Sequence, residues 1–108
     1  MAREGSKPQM ADRMPVSPSA LSAFCRKHHI RRLALFGSVL REDFRPDSDV
    51  DVLVEFEAGH VPGFAYAGIE RDLTALFGRK VDLRTLEDFD PASRAHLADT
   101  SVVQYVAR

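Results

Sequence analysis

The sequence has no tryptophan, one cysteine and no long apolar run. Each absence narrows what the chain can be. A lone cysteine, Cys25, excludes an internal disulfide and a thiolate metal cluster, which leaves it as a small buried apolar side chain. The apolar stretches are only a few residues long, whereas a helix that crosses a bilayer needs about 20. The N-terminus has no apolar segment of the kind a secretory signal requires, so a cytoplasmic protein without a membrane partner is expected. An excess of one charge is also missing: 15 basic and 16 acidic residues give a net charge of −1. That balance excludes a broad cationic surface for nucleic acid. Phosphate, if bound, is bound locally, with a metal ion able to supply the positive charge.

What is present suits a single folded domain: 108 residues, 44% apolar and 29% charged. Residues 1–16 lack hydrophobic periodicity and are rich in charge, Gly and Pro, so they read as a disordered tail ahead of a domain spanning 17–108. Ser17-Pro18 opens a helix, with Ser17 as cap and Pro18 where a missing N–H costs nothing. Leu21, Phe24, Cys25 and His28 form its apolar stripe, and Lys27, His28 and His29 lie at its C-terminal end. Adjacent His28 and His29 point about 100° apart on a helix, which argues for a capping or surface role rather than a metal site.

Leu33 to Phe36 then reads as a buried strand stopped at Gly37-Ser38. One helical turn over 39–44 and turn chemistry over 45–48 lead to a second strand, Asp49 to Phe56. Val50, Val52 and Val54 share one face of that strand, and Asp49, Asp51, Leu53 and Glu55 the other. A loop over 58–63 precedes a helix from Phe64 to Phe77 with Ile69, Leu73, Leu76 and Phe77 as its stripe and Gly78 as its left-handed stop. Lys80 to Arg84 alternates as a third strand, Pro91 opens a last helix to Asp99, and Val102 to Val106 ends the chain as a short strand or helical end. The expected fold class is α/β, one small mixed sheet with helices packed against it.

The chemistry gathers in Gly37-Ser38, ten further residues, and then Asp49-Val50-Asp51. Gly37 lets backbone approach a phosphate, and Ser38 offers a hydroxyl at the start of a helical turn, where free N–H groups favour an anion. Asp49 and Asp51, two apart on a strand, aim their carboxylates to one side, where a cation relieves their repulsion. Hard oxygen ligands of this kind suit magnesium. Asp82, on the polar face of the third strand, is the natural third acid. Glu87, Asp88 and Asp90 fall in a loop and at a helix start, and read as solvated or helix-start charges. Arg41 and Arg45 are candidate phosphate partners.

Gly37-Ser38 and Asp49-Val50-Asp51, with that gap between them, resemble the signature of the DNA polymerase beta superfamily of nucleotidyltransferases. The segments LALFGSVLREDFRPDSDVDVLVEF and GRKVDLRT resemble its smallest branch, the minimal nucleotidyltransferases, over Ser17 to about Tyr105. The resemblance implies a polymerase beta palm-like nucleotidyltransferase fold. It implies that Gly37 and Ser38 hold the triphosphate of ATP and that Asp49, Asp51 and Asp82 hold two Mg2+ ions. It implies transfer of AMP to a hydroxyl on a partner protein, as the antitoxin of a HEPN-domain toxin. One departure stands out: Arg41 keeps a basic position, but Glu42 replaces the glycine usual in the family. No residues remain for the lobe with which larger relatives hold an acceptor, so a protein partner is expected to complete the site. Two other readings compete: a binding module that neutralises a partner without chemistry, and a transferase acting on a small molecule.

Overall fold

The structure, a computed structural model, describes residues 16–37 and 49–107. Helix α1 (Pro18–Lys27) begins as its sequence dictates: Ser17 is extended, and its hydroxyl accepts the Ala20 N–H at 3.1 Å. Leu21 and Cys25 are buried, while Phe24 is partly covered and meets the His28 ring at a tilt of 49°, centroids 4.5 Å apart. Burial pushes the Cys25 thiol up to about 12, so it stays protonated and inert. Val16, at the start of the described chain, packs against the same core.

Strand β1 (Ile30–Phe36) is longer than the apolar run Leu33–Phe36 suggests. Its first turn of sequence, Ile30-Arg31-Arg32, disguises the strand because a bulge between Ile30 and Arg32 breaks the two-residue alternation. Both arginines pair with Glu55 on the neighbouring strand β2 (Val50–Phe56), Arg32 at 3.7 Å. The two strands are antiparallel, with Leu33 opposite Val54 and Phe36 opposite Asp51.

Helix α2 (Tyr66–Phe77) provides the crossover that a parallel pair requires, carrying the chain from β2 to β3 (Val81–Arg84). It ends at Gly78, whose φ of 76° gives the left-handed cap expected there. A short 3-10 turn (Leu86–Asp88) leads to α3 (Pro91–Thr100), and β4 (Val102–Val106) returns antiparallel to β1. The mixed sheet has the order β3-β2-β1-β4.

Ile30, Leu33 and Leu35 of β1, Val50, Val52 and Val54 of β2, and Val81 and Leu83 of β3 meet Leu21 and Cys25 of α1 and Ile69, Leu73 and Phe77 of α2 in one core. The opposite face, which alternation gives Leu53 as well as the acids, is partly covered too. Leu53 is only 7% exposed because Leu97 of α3 joins it and Ala34 around one shared cleft.

The two edges of the sheet are finished differently. Tyr66, Glu70 and Thr74 lie one above the other on α2, at i, i+4 and i+8, and all three bond to the outer backbone of β3. The Tyr66 hydroxyl donates to the Leu83 carbonyl at 2.7 Å, the Leu83 N–H donates to Glu70 at 2.8 Å, and the Val81 N–H donates to Thr74 at 3.1 Å. This edge is closed to further pairing. On β4, Val102, Val103 and Val106 are exposed.

Candidate active site

Antiparallel pairing of β1 with β2 and parallel pairing of β2 with β3 bring three strand termini to one end of the sheet. Gly37 follows the last residue of β1, Asp49 precedes the first of β2, and Asp82 is the second residue of β3. The Val50 N–H donates to the Lys80 carbonyl at 2.9 Å and fixes this junction. Asp51 and Asp82 are register partners, so their carboxylates leave the same face of neighbouring strands about 4.8 Å apart. Asp49 lies two residues before Asp51, just ahead of β2, and is exposed, while Asp51 is half-buried.

Gly37 belongs to the same cluster by contact. Its φ of 74° lies in the left-handed region, and a Cβ placed on it would sit 2.2 Å from Oδ2 of Asp51 and 3.1 Å from its Cγ. The Asp51 carboxylate therefore occupies the space that any other side chain at position 37 would fill. Ser38, Arg41 and Arg45, and the helical turn expected over 39–44, lie outside the described residues.

The third acid has a partner that the sequence did not announce. Arg84 holds both oxygens of Asp82, Nε to Oδ1 and Nη2 to Oδ2 at 3.2 Å each. The two residues share a strand face at i and i+2, and this bond raises the Arg84 pKa. The competing acids have other work. Asp90 caps α3 by accepting the Ser93 N–H at 2.8 Å, a bond that lowers its pKa, and Asp88 accepts the Thr85 N–H at 3.0 Å. Glu87 is exposed on the 3-10 turn. Phe89 packs edge-on against Phe36 at 5.8 Å, bringing the start of α3 over the end of β1.

The donor set is all oxygen, the kind that suits a hard cation such as magnesium, and Gly37 leaves room for the Asp51 carboxylate to take its place in it. A cleft of about 560 Å3, lined by Arg31, Val61, Tyr66 and Leu86 among others, contains none of the three acids.

A sequence profile of the nucleotidyltransferase domain matches residues 18–103. The chain belongs to the nucleotidyltransferase domain family. Its α/β sheet shares that fold with a solved structure provisionally described as a minimal nucleotidyltransferase, at 30% identity and a TM-score of 0.67, covering 91% of this chain and 98% of that one. The resemblance read from Gly37, Ser38, Asp49 and Asp51 is thus borne out at the level of the family. A toxin–antitoxin structure containing AMP-PNP has the same fold, with a TM-score of 0.67, 17% identity, and coverage of 86% of this chain and 76% of that one. The protein adenylyltransferase MntA of Thermococcus cleftensis is 42% identical over 55 residues, 50% of this chain and 54% of that protein. A protein of Methanocaldococcus jannaschii provisionally named a protein adenylyltransferase is 38% identical over 60 residues, 55% of this chain and 60% of that protein. Both matches thus span under two thirds of the relative concerned.

Among the described residues, the sequence reading missed the clasp of Arg84 on Asp82, and also a cluster at the far end of the sheet. There His29 stacks on His60 with ring centroids 3.9 Å apart, and its Nδ1 lies 3.4 Å from Oε1 of Glu57. A register argument could have found it: once β1 and β2 are paired with Ile30 opposite Phe56, residues 29 and 57 fall side by side.

Proposed function

We propose that this nucleotidyltransferase is magnesium-dependent and moves AMP from ATP onto a hydroxyl of a partner protein, a HEPN-domain toxin, and so serves as the antitoxin of a pair. The observation that carries the reading is the juxtaposition of Gly37 with the Asp51 carboxylate and of Asp51 with Asp82, with Asp49 just ahead of the same strand. The adenylyltransferase names of the relatives and the toxin–antitoxin structures of like fold support the choice of acceptor.

In this reading Asp49, Asp51 and Asp82 would hold two Mg2+ ions, which offset the charge of the triphosphate and of the transition state when bound. Gly37 and Ser38 cradle the phosphates, Gly37 by leaving backbone exposed, and Arg41 and Arg45 are their candidate cationic partners. The acceptor oxygen forms a bond to the α-phosphorus, the α–β anhydride bond breaks, pyrophosphate leaves, and the hydroxyl proton passes to solvent. Asp82 comes to this work from its pair with Arg84, which holds its carboxylate in place while Asp49 and Asp51 stand beside it. Cytoplasmic action follows from the need for ATP and for a co-expressed partner; among the described residues no helix is long and apolar enough to cross a membrane.

The test uses the protein, the product of the neighbouring gene, Mg2+ and ATP labelled at the α-phosphate. Label on the neighbour, absent with Asp49→Asn, is the expected result. Neutralisation of the neighbour by Asp49→Asn as well as by the wild type would show simple masking, and label on a small molecule with none on the neighbour would move the acceptor elsewhere.

A further inference from the structure

A second set of metal-competent side chains lies at the opposite end of the β1–β2 pair from the acids. His29 ends the turn before β1, Glu57 follows β2, and His60 sits in the loop just beyond. The donor atoms of all three lie within 4.8 Å of one another. Strands of seven residues separate this cluster from Gly37 and Asp51 by about 20 Å.

The backbone sets the cluster in place. The Glu57 N–H donates to the His29 carbonyl at 2.8 Å, and the His60 N–H donates to the Glu57 carbonyl at 3.0 Å. His29 is at φ 57°, the left-handed region, which turns the chain from α1 into β1 and swings its ring over the loop. The rings of His29 and His60 lie nearly parallel, 14° apart. Glu57 approaches one of them from the side, and its side chain is 42% exposed against 50% for His29, so an ion has access from solvent.

We propose that His29, Glu57 and His60 form a binding site for a borderline divalent cation of the zinc class. The donor set decides the class. Two imidazole nitrogens and one carboxylate match the preferences of Zn2+, with a fourth position left to water or to a partner's side chain, whereas the oxygen-only acids at the other end suit Mg2+. Nitrogens in a tetrahedral zinc site each lie about 2.0–2.1 Å from the metal and in line with their ring planes, so these donors, already within 4.8 Å, converge on one ion once the two imidazoles rotate out of their stack. A bound ion would pin the α1–β1 turn to the loop after β2, clamping one end of the β1–β2 pair while leaving the acids at the other end untouched. The inference is independent of which acceptor the transferase uses.

The full chain carrying Asp49→Asn and Asp51→Asn is titrated with Zn2+ alone, so that the acidic end cannot account for binding. The ring signals of all four histidines, His28, His29, His60 and His96, are followed by NMR beside the melting temperature. One equivalent of Zn2+ should move the His29 and His60 signals together, leave His96 in place, and raise the melting temperature by about 3 °C or more at saturation. Mg2+ should move neither signal. His60→Ala and Glu57→Gln change exposed or half-exposed side chains, so they should fold normally, lose the rise and weaken zinc binding at least tenfold. In the chain with native acids, His60→Ala should leave nucleotide transfer unchanged. Zinc binding of equal strength in His60→Ala, or unmoved His29 and His60 signals at saturating Zn2+, would overturn the proposal.

Discussion

The two ends of the β1–β2 pair use the same backbone device for different purposes. At the acidic end, Gly37 takes a φ of 74°, and the place of its missing side chain is filled by the carboxylate of Asp51. At the other end, His29 takes a φ of 57°, and its side chain is the point, since it reaches Glu57 and His60. A left-handed residue adjoins the pair at each end, but only where a neighbouring side chain occupies the Cβ position must it be glycine. The lesson is that the identity of a turn residue is decided by what lies next to it as much as by its torsion angles.

Substitutions at the two ends should therefore separate sharply. Asp51→Asn should lower nucleotide transfer by about 100-fold or more, while the metal-free fold keeps or slightly gains thermal stability as crowding of the acids is relieved. His60→Ala should leave the rate within about twofold. A reduced rate in both variants would mean the two ends are not separate.

Gly37→Ala comes next in size. The new methyl group would meet Oδ2 of Asp51 at 2.2 Å and adopt a φ of 74°, so Asp51 must move. A loss of about 1–3 kcal/mol in stability and at least about tenfold in transfer is expected, read by denaturant melts and rate assays. Equal stability with normal transfer would show that Asp51 does not need its present position.

The smallest effect belongs to the closed edge. Tyr66→Phe removes the bond to the Leu83 carbonyl and should cost about 1 kcal/mol, with little change in transfer. Burial, with Asp88 and Glu70 nearby, pushes the Tyr66 pKa up from 10.0 to about 12. A folded-state pKa above the unfolded value means that the contribution of Tyr66 is complete below pH about 10 and is lost as pH rises toward about 12. The stability difference between wild type and Tyr66→Phe should shrink across that window, and a difference that grows there would contradict the assignment of the bond.

Much of this architecture is legible in the residues. The alternation Val50-Asp51-Val52 sets apart the core face and the acid face of β2, Ile69, Leu73 and Phe77 mark the buried stripe of α2, and Ser17 and Gly78 bound their helices as local backbone chemistry requires. The helix expected from Phe64 begins at Tyr66, and Phe64, just outside it, is fully exposed. What stayed hidden depends on tertiary placement. The extension of β1 to Ile30 is masked by a bulge and by Arg31 and Arg32, whose charge is met by Glu55 across the sheet. Leu53 looked solvent-facing until α3 covered it, and Val102 to Val106 had no assigned state until β1 supplied a strand to pair with. Asp82 could be picked out as the acid on a core-packing strand, but its bond to Arg84, two residues away, could not, since i and i+2 side chains on a strand share a face without having to touch.

The most direct test of the acid site is linkage between ATP and Mg2+. Triphosphate and carboxylates repel one another unless a cation joins them, so ATP with Mg2+ should raise the melting temperature of the wild type far more than ATP with a chelator. At a hundredfold excess of ligand over its dissociation constant the gain is about 2.7 kcal/mol, and Asp51→Asn should lose most of it while His60→Ala keeps it. An equal rise with and without Mg2+, or one that survives Asp51→Asn, would contradict the claim that these aspartates hold the metal.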